Sequence, residues 1–246
     1  MLDISSPVTK QGERIFDLWQ GSWVAAWAVG AITWGLILWA VVAYRRRAAA
    51  HTPSQTRYNL PIEAMYTIVP LIVIMVLFGY TARDQTELLK VSAHPQNTVN
   101  VVAFRWSWTF NYVDQNTYDV GAPAGPLPTL YLPVGETVKF TLTSPDVIHS
   151  FWIPAFLFKM DVIPGKTNQF ELTPTKLGTY SGKCAELCGV DHSRMLFVVK
   201  VVSPEQFLQH MADLRASGQV GLLDTGRVTN SVTGDVQGRT TIGGSS

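Results

Sequence analysis

The chain has 246 residues, a net charge of +1 and only 15% charged residues. That length allows one good-sized domain with appendages. The near-balanced charge excludes a nucleic-acid surface, which needs a basic excess.

The hydrophobic residues are unevenly spread. Residues 1–17 form a short polar lead, and from Leu18 to Tyr44 no residue is charged. The same holds from Ala64 to Ala82. These runs predict helices over 18–44 and 64–82, roughly 40 and 28 Å long. A bilayer core is about 30 Å thick. Trp19, Trp23, Trp39 and Tyr80 lie near the run ends, as an aromatic belt would. Buried helices of a soluble core are the competing reading. A cleaved signal peptide fits poorly, because the first run begins late and no small-residue cleavage site follows it. The connection, 45–63, carries Arg45, Arg46, Arg47 and Arg57. The leading segment carries Lys10 and Arg14 among three acids. The positive-inside rule then puts the connection in the cytoplasm, and the N-terminus and everything after residue 83 outside.

From about residue 90 the pattern changes. "TVNVVAFRWSWTFNY", "TLYLPV", "TVKFTLTS", "QFELTP", "GTYSGK" and "LFVVKVV" are short β-branched or aromatic runs separated by Pro and Gly. They predict an all-β sandwich or barrel over 90–203. In "FRWSWTFNY", Phe104, Trp106, Trp108, Phe110 and Tyr112 alternate, which predicts one aromatic strand face with some of its rings leaving the core. Residues 204–246 read as a C-terminal helix, started by Ser203 and Pro204, and a tail. From Gln219 the tail is rich in Gly, Thr and Ser, and is expected to be poorly ordered or ordered only against partner subunits.

The chain's two cysteines both fall in "CAELCGVDHSRM", residues 184–195. Cys184, Cys188, His192 and Met195 are spaced four, four and three apart, so one helix face is a possible reading. Gly182, Gly189 and the strand-like run from Leu196 favour a loop instead. A disulfide is a second reading, suited to an oxidising outer compartment. It would close a small loop and stabilise little. Zinc is a third, but a thioether is a poor zinc ligand and suits copper better. A copper site needs further imidazole, and His149 in "SPDVIHSFWIPAF" is the candidate. Two thiolates, two imidazoles, one thioether and a backbone carbonyl suffice for two copper ions with both thiolates bridging.

At "DVIHSFWIP", "KMDVIPGK" and "CAELCGVDHSRM" the sequence resembles subunit II of haem–copper cytochrome c oxidases, over roughly residues 15–205. The resemblance implies a two-helix transmembrane hairpin plus an all-β cupredoxin-like Greek-key sandwich. It implies a binuclear copper centre (CuA) with Cys184 and Cys188 bridging and His149 and His192 ligating one ion each. Met195 would bind one copper and the Glu186 backbone carbonyl the other. The Glu186 side chain would reach a magnesium ion shared with subunit I, with Asp161 nearby. Trp106 would be where cytochrome c delivers its electron, and Glu63 would lie at the entrance of a proton pathway. The implied partners are subunit I and other oxidase subunits, cytochrome c and membrane lipid. The general look of the sequence favours a bacterial plasma membrane over the mitochondrial inner membrane as its setting. Lys166 stands where the family often has Arg, so a bidentate role there is in doubt. Asp114, Asp119, Glu136 and Asp146 are candidates for an acidic docking face. The alternatives are a copper-free quinol oxidase subunit II and a membrane-tethered copper-binding protein.

Overall fold

A computed structural model describes residues 7–45, 55–122 and 125–223. They divide into two compact units: residues 14–87, and residues 88–223 together with 7–13.

Two helices dominate the first unit, α1 (Lys10–Ala43) and α2 (Leu60–Leu88). α1 starts eight residues before the charge-free run because Thr9 caps it. The Gly12 N–H donates to Thr9 Oγ1 at 2.9 Å and the Glu13 N–H to the Thr9 carbonyl at 3.1 Å. α2 likewise starts early, at a reciprocal cap. The Asn59 N–H donates to Glu63 Oε1 at 2.9 Å, and the Ile62 N–H to Asn59 Oδ1 at 3.4 Å. The helix continues past Ala82 through charged residues, and Asp84 pairs with Arg14 at 3.0 Å. Both helices are long and apolar enough to cross a membrane, and none of their apolar stretches is buried within the chain. A soluble core helix would be. Pro70 sits inside α2, where a membrane helix tolerates it. Arg45 and Arg57 are described, whereas Arg46 and Arg47 lie outside the described residues.

The second unit is a sandwich of ten strands. They are β1 (Asn97–Phe104), β2 (Ser107–Tyr112), β3 (Thr117–Val120), β4 (Thr129–Pro133), β5 (Val138–Thr143), β6 (His149–Ile153), β7 (Phe158–Val162), β8 (Asn168–Leu172), β9 (Gly178–Cys184) and β10 (Leu196–Val202). One sheet runs β3-β2-β1-β5-β8 and the other β4-β10-β9-β6-β7. β1 and β5 pair in parallel, as do β4 and β10, and the other pairs are antiparallel. The chain crosses between sheets after β3, β4, β5, β7 and β8, which makes a cupredoxin-like Greek-key sandwich. Aromatic rings fill the space between the sheets. Phe151 stacks on Phe197 at 5.0 Å, and Trp108 meets Phe197 edge-on at 5.2 Å.

The alternating aromatics do not share one strand face. The run breaks at Arg105–Trp106 into a hairpin, with Phe104 opposite Ser107. Phe104, Trp108, Phe110 and Tyr112 are buried, while Trp106 sits half-buried at the hairpin tip. Five such rings cannot all fit one face, so the turn takes one of them out of the core.

Both ends of the described chain are tied to this unit. Residues 8–12 strap the sandwich: the Lys10 N–H donates to the Thr173 carbonyl at 3.1 Å and the Thr175 N–H to the Val8 carbonyl at 2.8 Å. Residues 7–13 therefore belong with the β domain. At the other end, α3 (Pro204–Ala216) has a capping box from Ser203 and Gln206. It buries Phe207, Met211 and Leu214 on one face. Order continues beyond Gln219, contrary to the compositional expectation. The Tyr118 N–H donates to the Gln219 carbonyl at 3.3 Å and the Gly221 N–H to the Asn116 carbonyl at 3.0 Å. The Asn111 amide pairs with both the N–H and the carbonyl of Leu223, at 2.8 and 2.9 Å. The rest of the predicted tail, 224–246, lies outside the described residues.

Candidate metal centre

Cys184 ends β9 and residues 185–195 form the loop that joins it to β10, so the helix-face reading does not hold. Its base is closed by the Cys184 N–H donating to the Met195 carbonyl at 3.0 Å. A second tie, from the Ala185 N–H to the Ser150 carbonyl at 3.0 Å, fixes the loop beside β6. Cys184, the last residue of β9, pairs with Phe151 of β6, and His149, two residues earlier on the same face of β6, lies beside it. Gly189 has φ +126°, and a Cβ there would lie 3.0 Å from the Trp106 indole nitrogen. Only glycine turns the chain under that ring without strain. A single helical turn, His192–Arg194, then returns the chain to Met195.

These local structures bring six donor groups together. Cys184 Sγ lies 3.8 Å from Cys188 Sγ, 3.9 Å from His149 Nδ1 and 3.2 Å from the Glu186 carbonyl. Cys188 Sγ lies 3.6 Å from His192 Nδ1 and 3.7 Å from Met195 Sδ. His149 and Met195 are fully buried, and both cysteines nearly so. Both thiols are free, which disposes of the disulfide in this structure. Ligand atoms on one tetrahedral ion, with bonds of about 2.0–2.3 Å, sit about 3.3–3.8 Å apart. The observed separations match that spacing to within about 0.1 Å, so the cluster fits a metal with little rearrangement.

The electrostatics also call for a cation. Burial raises the Cys184 thiol, but hydrogen bonds from His149 and the backbone of Glu186 and Ser150 overcome this and bring it down to about 6. Burial and the neighbouring Cys184 sulfur push Cys188 up to about 12. The pocket thus supports one thiolate unaided. A second thiolate less than 4 Å from the first needs a positive ion between them.

Two groups that the sequence reading left out of the site hold the ligands from behind. Asp146 Oδ1 lies 3.0 Å from His149 Nε2. Burial raises the Asp146 carboxyl, but bonds from His149, Arg105 and Val147 outweigh it and bring it down to about 2. The Trp108 indole donates to the Met195 carbonyl at 3.4 Å. The one sequence signal for the first was an acid three residues before a histidine in "DVIH".

Trp106 reaches the loop directly, its Nε1–H donating to the Cys188 carbonyl at 3.2 Å. Glu186 and Asp161 are both exposed. Asp161 lies on β7 opposite Ser150, with β6 between its strand and that of Cys184. Glu63 is not part of this cluster. It lies in the first unit and caps α2.

The expected acidic docking face does not form. Asp114 accepts the Thr98 N–H at 2.6 Å, and Glu136 accepts from Asn97 Nδ2 at 2.7 Å. Both therefore sit at the Asn97 end of β1, about 23 Å along the strand from the Trp106 end. Asp119 is half-buried and accepts the Thr129 N–H at 3.2 Å. Of the four acids only Asp146 is at the Trp106 end, and its oxygens are already engaged.

Residues 128–202 match the family described as "Cytochrome C oxidase subunit II, periplasmic domain". The chain is 52% identical to the "Probable cytochrome c oxidase subunit 2" of Streptomyces avermitilis, over 92% of this chain and 82% of that one. It is 32% identical to the "Cytochrome c oxidase subunit 2" of Mycobacterium bovis, over 83% of this chain and 72% of that one. Among solved structures, it resembles the periplasmic domain of subunit II of cytochrome oxidase of Bradyrhizobium japonicum. The TM-score is 0.48 and the identity 27%, covering 52% of this chain and 99% of that one.

Proposed function

This chain belongs to the cytochrome c oxidase subunit 2 family, and on that premise we propose that it is the subunit that receives electrons from cytochrome c. Cys184 and Cys188 would bridge two copper ions, and His149 and His192 would ligate one each. Met195 would complete one ion and the Glu186 carbonyl the other. When bound, the copper pair would accept one electron at a time and share it, for delivery to haem in subunit I, where oxygen is reduced to water with proton pumping. The observation that carries this reading is the pair of free, buried sulfurs 3.8 Å apart, each beside its own imidazole.

The chain's own groups have separate tasks. Burial and the closed loop base keep water from the sulfurs and fix their spacing, so that little has to move when the charge changes. Trp106, half-buried and bonded to the Cys188 carbonyl, would carry the electron in from the donor's docking surface. The exposed Glu186 side chain would reach outward to a magnesium ion completed by subunit I, with Asp161 nearby. Magnesium takes octahedral oxygen ligands, so one carboxylate cannot hold it alone. Glu63, at the loop end of the second apolar helix, would lie at the entrance of a proton path. The two apolar helices anchor the chain, and the setting proposed is a bacterial plasma membrane with the sandwich outside.

Electron paramagnetic resonance on the purified chain tests the reading. The expected result is about two coppers per chain and one electron coupled equally to both nuclei. Cys188→Ser is expected to abolish that spectrum. Glu186→Gln is expected to keep it while weakening magnesium or manganese binding to the assembled oxidase. A single-copper spectrum, or an unchanged one in Cys188→Ser, refutes the ligand assignment.

A further inference from the structure

We propose that Asp146 is a positioning residue whose one carboxylate sets both the ring of His149 and the hairpin that carries Trp106. The inference rests on the metal reading above for what His149 holds.

The two oxygens of Asp146 serve different segments. Oδ1 faces His149 Nε2 at 3.0 Å and accepts the Val147 N–H at 2.6 Å. Oδ2 accepts the Arg105 N–H at 2.8 Å and, less closely, Arg105 Nε at 3.4 Å. A carboxylate only accepts, so Nε2 must carry the ring proton. In the neutral ring that leaves Nδ1 bare to face Cys184 Sγ at 3.9 Å; it donates to the Cys184 thiolate only when the ring carries a second proton. The ring is fully buried, so no solvent competes for Nε2. Arg105 immediately precedes Trp106 at the hairpin tip. The hairpin is therefore held at two points, at its backbone by Asp146 and at the Trp106 indole by the Cys188 carbonyl. One side chain thus links the buried imidazole to the aromatic residue on the surface. The Arg105 side chain contributes little to this link, being half exposed. Only its backbone N–H matters.

The test uses the full chain in detergent. In the metal-free, reduced protein, at a pH where the ring is neutral, long-range proton–nitrogen correlation should place the His149 proton on Nε2. A proton on Nδ1 overturns the proposal, whether or not any variant folds. In Asp146→Ala, copper(I) affinity measured by competition with a chelator should fall roughly 10- to 100-fold, as for other partners of metal-bound histidines. The Trp106 indole N–H should also exchange faster with solvent. Arg105→Ala keeps the backbone N–H and should match the parent in both. Parental affinity in Asp146→Ala, or a fall in affinity with unchanged Trp106 exchange, overturns the joint role. A parent chain that binds no copper refutes the metal reading alone, and the metal-free ring measurement then decides the role of Asp146.

Discussion

Gly182 lies two residues before Cys184, directly opposite Phe197 in the β9–β10 pair. A Cβ added there would fall 2.0 Å from Phe197 Cε2 and 2.1 Å from Cζ. Ordinary carbon contacts begin near 3.4 Å, so the ring must retreat by more than an ångström. It has nowhere to go. Phe197 is 1% exposed, stacked on Phe151 at 5.0 Å and edge-on to Trp108 and Phe110 at 5.2 and 5.4 Å. Gly182→Ala should therefore cost about 3 kcal/mol, the upper part of the overpacking range. Lower unfolded-chain entropy offsets about 0.5–1 kcal/mol of this. For a domain of this size the midpoint of thermal unfolding should fall by roughly 10 °C. The shift of Phe197 also displaces Trp108, which holds the Met195 carbonyl, so copper retention should fall with it. The assay is thermal unfolding of the purified chain by near-ultraviolet circular dichroism, with metal analysis alongside. Phe197→Leu removes the clashing ring atoms, so the double variant should be more stable than the two single costs sum to. A midpoint within about 2 °C of the parent would refute the packing argument.

Three further outcomes are expected. Burial raises Asp119 to about 6 despite bonds from the Thr129 and Val120 N–H groups, against about 3.9 in an unfolded chain. The native state therefore resists ionisation, and stability is lost as pH rises from about 4 to 6 and stays low above it. Asp119→Asn keeps an acceptor for Thr129, so it should raise the unfolding midpoint at pH 8 and leave it unchanged at pH 4; equal shifts at both would remove this account. Trp106→Phe deletes the bond to the Cys188 carbonyl; flash-induced electron uptake from cytochrome c by the assembled oxidase should slow at least about tenfold (about 1.4 kcal/mol) with the copper spectrum intact, and an unslowed rate would take the role from Trp106. Glu136→Gln should leave the cytochrome c on-rate within about twofold at low salt, since Glu136 sits at the far end of β1; a several-fold fall would place docking at that end.

Much of this molecule was legible in one dimension. The two charge-free runs needed only length and hydropathy, because a bilayer sets the length of whatever crosses it. The four ligand types in 184–195 were legible because metal chemistry restricts which side chains can serve, and the cysteines were the only two in the chain. Short alternating runs between Pro and Gly indicated the β domain, because pleat and turn chemistry are local. Other features depended on distant segments meeting. That some ring of the aromatic stripe must leave the core was legible in the sequence, but only the pairing of β1 with β2 put Trp106 at a hairpin tip. Asp146 looked like a surface acid, and Glu136 and Asp114 like its neighbours, until strand direction placed them at opposite ends of the sandwich. A carboxylate's role depends on which donors face it, and those donors come from segments far apart in the chain. Residue type and local spacing therefore determined what chemistry the chain can do. Only the packed structure decided where that chemistry is held, and by which groups.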